Sequence, residues 1–151
     1  MAFTYEQVVA ILSPDEPTLA NVQTLDESAI PHLERMITSD NESLAVKAAF
    51  ALAHAQSNKA TPILRTLVAH PKPVMRVAAA SAASRLPIAE REEIVTTLLD
   101  DADLGVQKAA LRSVGTNVSA KLKERIESRQ WANEALQQFA IEAIAHARVH
   151  P

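Results

Sequence analysis

The sequence predicts an all-α fold built from repeated helix pairs, on three observations. Gly occurs only twice and aromatic residues make up 3% of the 151 residues, while the strong helix formers Ala, Leu, Glu, Lys, Arg and Gln are abundant. β-branched runs joined by turn dipeptides at hairpin spacing are absent. A ten-residue motif also recurs at an interval of about thirty residues, the mark of a repeat architecture.

Composition bounds the rest. With 48% apolar and 22% charged residues, the chain is expected to be a soluble globular domain with enough length to bury a core. It contains no Cys, which removes disulfides, thiolate metal sites and a cysteine nucleophile, and fits a reducing compartment. The start, "MAFTYEQVVAILSPDE", lacks the basic region and long apolar run of a signal peptide. No window approaches the roughly eighteen apolar residues of a membrane span. A cytoplasmic protein is expected. Charge is uneven: residues 1–58 carry two basic and eight acidic residues, residues 59–151 thirteen basic and ten acidic. A duplex nucleic-acid binder needs a strongly basic face, so that partner is disfavoured.

The first 27 residues do not follow the repeat. "TYEQVVAIL" reads as a short helix with Thr4 as N-cap, "SPDEPT" as a turn and "TLANVQTL" as a second short helix. They are expected to cover the open end of a stack, with Asp15, Glu16, Asp26 and Glu27 giving that cap its polar face.

The repeat then runs in order. "AVKAAFALAH" from Ala45 aligns with "MRVAAASAAS" from Met75, "VQKAALRSVG" from Val106 and "LQQFAIEAIA" from Leu136, at intervals of 30, 31 and 30 residues. The fourth position is Ala48, Ala78, Ala109 and Phe139, the fifth is Ala49, Ala79, Ala110 and Ala140, and the ninth is Ala53, Ala83, Val114 and Ile144. An upstream motif precedes each copy. "AIPHLERMITSD" from Ala29 aligns with "ATPILRTLVAHP" from Ala60, pairing Pro31 with Pro62, Leu33 with Leu64 and Met36 with Leu67. "AEREEIVTTLLDD" from Ala89 keeps Leu98 and Leu99, and "SAKLKERIESRQ" from Ser119 keeps Leu122 and Ile126.

Each unit is therefore two helices, the first of about ten residues and the second of about twelve to fifteen. The turns between them, "TSDNE", "AHPKP", "DDADLG" and "SRQWAN", supply the residues that stop one helix and cap the next. Pro31 and Pro62 fall in first turns, where a missing N–H costs little. Gly105 and Gly115 suit a turn and a helix end. One domain spans residues 1–151: a cap over 1–27 and units over 28–56, 59–86, 88–116 and 118–149, with "RQWANEALQQFAIEAIAHARVHP" closing the far end. The paired Ala positions let second helices approach their neighbours closely.

This pairing of an "AIPxL" first helix with an Ala-rich second helix resembles the HEAT-like repeats first associated with phycobiliprotein lyases, over roughly Ser28 to Val149. The resemblance implies a right-handed α-solenoid of four helix pairs whose second helices line the concave side. It also implies an Arg at the motif's second position, bonded to an Asp of a neighbouring turn. Only Arg76 matches, the equivalents being Val46, Gln107 and Gln137, and Asp101 or Asp40 is its expected partner.

The catalytic motifs are missing. There is no "HExxH", no "GxSxG" and no glycine-rich phosphate loop. The resemblance extends to HEAT-like metal hydroxylases, but their His-Glu dipeptide is absent too. Of the histidines, His146 and His150 stand four apart on what reads as one helix face, without a third ligand and near a terminus expected to fray. Glu90, Glu92 and Glu93 suit a helix start, and Asp100, Asp101 and Asp103 a turn and an N-cap. No catalytic residue, metal or cofactor is expected.

A binding surface remains. Motif positions three, seven and ten or eleven should project from the second helices, opposite the Ala pair. They are Lys47, Ala51 and His54, then Val77, Ser81 and Arg85, then Lys108 and Arg112, then Gln138 and Glu142. The middle of this face is mildly basic. The function expected is a non-catalytic protein-interaction module or adaptor that holds a protein or peptide, acidic or mixed in charge, on the concave face. Two alternatives follow from the resemblance alone: a phycobilin lyase-like or chaperone-like subunit, and a HEAT-like nucleic-acid binder. DNA glycosylases of that kind carry a basic groove with aromatic residues, whereas the sole Trp here, Trp131, falls in the terminal unit.

Overall fold

Most helices in this protein start on a short polar side chain or a proline, the helix Ala60–Leu67 on Lys59 being the exception. The computed structural model describes residues 2–14, 18–55 and 57–150. In it α1 (Tyr5–Leu12) begins behind Thr4, whose hydroxyl accepts from the Gln7 N–H while the Gln7 side-chain oxygen accepts from the Thr4 N–H. This capping box holds two N–H groups that the helix leaves unpaired. After α2 (Leu19–Val22), a 3-10 turn at Glu27–Ala29 is capped by Asp26. The expected polar contribution of Asp15 and Glu16, and the middle of the "SPDEPT" turn, lie outside the described residues.

Four helix pairs follow: α3 (Ile30–Ile37) with α4 (Glu42–Leu52), α5 (Ala60–Leu67) with α6 (Pro73–Ala83), α7 (Ile88–Leu99) with α8 (Leu104–Arg112), and α9 (Ala120–Ser128) with α10 (Glu134–Ala145). Asn41, Asp103 and Asn133 cap the second helices through their side chains, and α6 starts on Pro73. Three of the second helices are shorter than the sequence suggests, with 11, 11 and 9 residues, and α10 has 12. The motif continues past their ends into non-α backbone: Ala53–Ala55 forms a 3-10 turn, and Gly115 adopts φ +82° beyond α8. Gly105 sits inside the first turn of α8 rather than in the connecting turn. Gly115 is needed twice over, since a Cβ there would stand 2.9 Å from the Arg91 guanidinium carbon and the left-handed backbone disfavours any side chain.

Packing follows the motif. Ala48, Ala49, Ala78, Ala79 and Ala110 have no exposed surface, and α4, α6, α8 and α10 pack each on the next, with the larger Leu64, Met75, Leu98 and Leu99 filling the space behind. The result is an all-α repeat solenoid.

Arg76 finds Asp101, not Asp40. Its Nε donates to Oδ2 at 2.7 Å and its Nη2 to Oδ1 at 3.1 Å, while Nη1 donates to the carbonyls of His70 and Pro71 at 2.7 and 3.2 Å. One guanidinium thus ties the α5–α6 turn to the α7–α8 turn. Asp101 also accepts the Asp103 N–H at 2.9 Å, and Gln107, at the motif's Arg position, donates to the Asp101 carbonyl at 2.6 Å. Burial alone would raise the Asp101 pKa, but hydrogen bonds from Arg76 and the Asp103 N–H, with the Arg76 charge, leave it below the usual carboxylate range.

The far end departs from expectation. Three-residue strands β1 (Asn117–Ser119) and β2 (Arg148–His150) pair in parallel, Val118 beside Val149. The terminus described as far as His150 is therefore held in a ladder instead of fraying. Because α10 ends at Ala145, His146 and His150 do not share a helix face. The strands are fixed to α7 by Glu92, which accepts the Ser119 N–H at 2.5 Å, and by Arg91, which donates to the Asn117 carbonyl at 3.2 Å.

Candidate functional site

The second helices pack directly on one another, while the first helices make no comparable contact among themselves. The exposed surface of the second-helix side comes from the positions opposite the buried Ala pair.

That surface opens along the stack. At motif position seven, Ala51 is buried, Ser81 half-buried, and Arg112 and Glu142 exposed. At position three, Lys47 and Val77 are half-buried, and Lys108 and Gln138 exposed. Ala51 therefore does not project as the motif suggests. The first unit is also occupied from the N-terminal side: Lys47 Nζ donates to the Pro14 carbonyl at 2.8 Å.

The residues expected to form one face divide into two places. Val77 and Ser81 of α6 face Lys108 and Arg112 of α8 across a groove of about 430 Å³, floored by the small Gly105 and Ala109. The groove continues between α8 and α10, where Arg112 and Phe139 line one depression with Glu142. Gln138 is spent on its neighbour, donating to Glu142 at 3.1 Å. His54 and Arg85 lie elsewhere, because both stand beyond the ends of their α-helices and turn toward the α5 and α7 starts.

Phe139 is the functional candidate that motif reasoning missed. Lys108 Nζ lies 4.8 Å and Arg112 Cζ 5.8 Å from its ring centroid, within range of cation–π attraction. The ring holds both cations at the groove wall without neutralising them. Its signal was present in the sequence, as the one break in a column otherwise made of Ala.

Several cations elsewhere on the molecule are paired. Arg65 pairs with Glu93, Lys72 with Glu42, Lys59 with Glu27, Arg76 with Asp101, and Arg125 and Arg129 with Asp100. These pairs involve first helices, inter-helix turns and, through Glu42 and Arg76, the N-terminal turns of α4 and α6. Among the described residues, Lys108 and Arg112 have no carboxylate partner. The acidic side chains read as structural behave so: Glu92, Glu93, Asp100 and Asp101 are engaged as above, and Asp103 caps α8. Among the described residues, no group of three or more His, Asp or Glu is placed to hold a metal, and no helix is long and apolar enough to cross a membrane.

The HEAT repeats family matches residues 29–115, more than half of the sequence. The protein belongs to the HEAT-repeat family. HEAT repeats are commonly protein-interaction scaffolds, and the family is generally non-catalytic. The match ends beside Gly115, so α9, α10 and the two strands extend this HEAT-repeat protein beyond it. A search of curated proteins returns no match to it.

Proposed function

We propose that this HEAT-repeat protein is a non-catalytic interaction module that holds a segment of a partner protein against α6, α8 and α10. All 151 residues act as one domain, with residues 1–27 as its N-terminal cap and units at 28–56, 59–86, 88–116 and 118–149. One observation carries the reading: the groove brings Lys108 and Arg112 together on the Phe139 ring, without carboxylate partners among the described residues. Unpaired cations beside small residues suit a partner surface that brings its own carboxylates.

The test compares partner capture by the wild-type protein and by Lys108→Glu/Arg112→Glu. Both side chains are exposed, so the double variant should melt within about 1 °C of wild type, as surface changes do. Its partner affinity should fall roughly tenfold or more. A partner bound equally by both forms contradicts the assignment, as does capture of nucleic acid instead of protein.

A further inference from the structure

A pocket of about 410 Å³ lies outside this groove, where the α4–α5 and α6–α7 connections meet. Three features converge on it. Arg85, one residue past the α6 C-cap, is exposed and has no ion-pair partner among the described residues. Thr61, in the first turn of α5, lines the pocket at 8% exposure, and among the described residues no hydrogen bond uses its hydroxyl. The first turns of α5 and α7 both face the pocket, and neither has a side-chain cap, since their N-cap residues are Lys59 and Pro87. At the α5 start the Ala60 N–H is held by the Ser57 carbonyl at 3.1 Å and Pro62 has none, so the Thr61 N–H, the buried Thr61 hydroxyl and the Arg85 guanidinium form the donor set of an oxyanion site.

Two further linings narrow the ligand. Leu52, Leu86 and Pro87 give the pocket an apolar side, and Glu90 of α7 places a carboxylate on its rim. A bare inorganic anion leaves the apolar side empty and meets Glu90 unfavourably. A carboxylate beside an apolar substituent and an N–H donor satisfies all three.

We propose that this pocket is a second binding site, which takes a carboxylate carried next to an apolar group. The carboxylate sits on Arg85, the Thr61 hydroxyl and the α5 start, the apolar group enters between Leu52 and Leu86, and an adjacent N–H points to Glu90. The C-terminus of a polypeptide and a free N-acylated amino acid both offer a carboxylate beside an apolar group and an N–H.

His54 reports the event. The Arg85 charge acts on it; of the other residues lining the same pocket, Glu90 of α7 is charged, while Ser57 and Asn58 of the α4–α5 connection, Thr61 of α5 and Gln23 of the N-terminal segment are not. Burial, and then Arg85, lower its pKa. A bound carboxylate offsets the Arg85 charge and favours imidazolium, so ligand raises the His54 pKa and affinity rises as pH falls through its titration.

The experiment titrates the protein with N-acetyl-L-leucine, following backbone amides and the His54 ring by NMR. Saturable shifts are expected at Thr61, Asn58, Leu86 and His54, with a raised His54 pKa. N-acetyl-L-leucinamide should not bind, Arg85→Gln and Thr61→Val should each weaken binding roughly tenfold, and Lys108→Glu/Arg112→Glu should bind as wild type, so this site and the groove are tested separately. Isovalerate, which lacks the N–H for Glu90, should bind more weakly than N-acetyl-L-leucine, and binding as tight as that of N-acetyl-L-leucine overturns the Glu90 contact. Absence of saturable shifts, equal binding of the amide, or wild-type binding by variants whose melts are unchanged overturns the proposal.

Discussion

Replacing Asp101 with Ala lowers stability by about 3 kcal/mol, the cost of leaving a largely buried cation without its partner. The melting temperature falls by on the order of 10 °C. Arg76 is 16% and Asp101 10% exposed, and the pair holds two successive inter-helix turns together. Asp101→Ala also removes the acceptor of the Asp103 N–H next to the α8 cap. The double variant Arg76→Met/Asp101→Leu should recover much of the loss, because replacing a buried pair with apolar side chains is far cheaper than breaking it. A double-mutant cycle by thermal melts checks this coupling. The pH dependence has a definite sign. The Asp101 pKa is lowered in the folded protein, so its contribution is full above its unfolded value, about 3.9, and is lost as pH falls through the folded value. The stability gap between wild type and Arg76→Met should therefore narrow as pH drops from 7 to below about 4. A gap of constant size would show that the pair is not the cause.

The second large effect is expected from Ala79→Leu, at about 1–3 kcal/mol of destabilisation. Ala79 has no exposed surface, and Ala78, Ala80, Ala82 and Ala83 around it are equally closed in. α6 packs there on both α4 and α8, so three added carbons force neighbouring second helices apart. Ser81→Leu, two residues away on the groove face, should change the melt by less than about 0.5 kcal/mol. Equal melts for the two variants would mean that the helix is turned the other way.

How much of this was legible follows from where each signal resides. The Ala column at the motif's fifth position and the Pro, Asn and Asp between helices are local signals, and they located the helix pairs and the packing face. Arg76 stood out because it alone filled its motif position, but choosing Asp101 over Asp40 required the turns to be brought together in space. β1 and β2 had no signal to read: "NVS" and "RVH" are three residues each and become strands only because α9 and α10 return the backbone beside itself. Of the residues expected on one face, the structure brings Val77, Ser81, Lys108 and Arg112 together. That face was misread at its ends, where Lys47 is engaged by the Pro14 carbonyl and where His54 and Arg85 leave the helical register. Thr61 escaped notice because a Thr in a helix's first turn ordinarily reads as structural, and only the unused hydroxyl at a pocket wall sets it apart.

Site-specific photocrosslinking tests the central claim most directly. A benzophenone amino acid at Ser84, on the wall of the α6–α8 groove, is compared with the same group at Lys121, exposed on α9. Irradiation in the presence of partner should give an adduct from position 84, suppressed by Lys108→Glu/Arg112→Glu, and little from position 121. Crosslinking from position 121 with none from position 84 would contradict the assignment of the second-helix groove as the interaction surface.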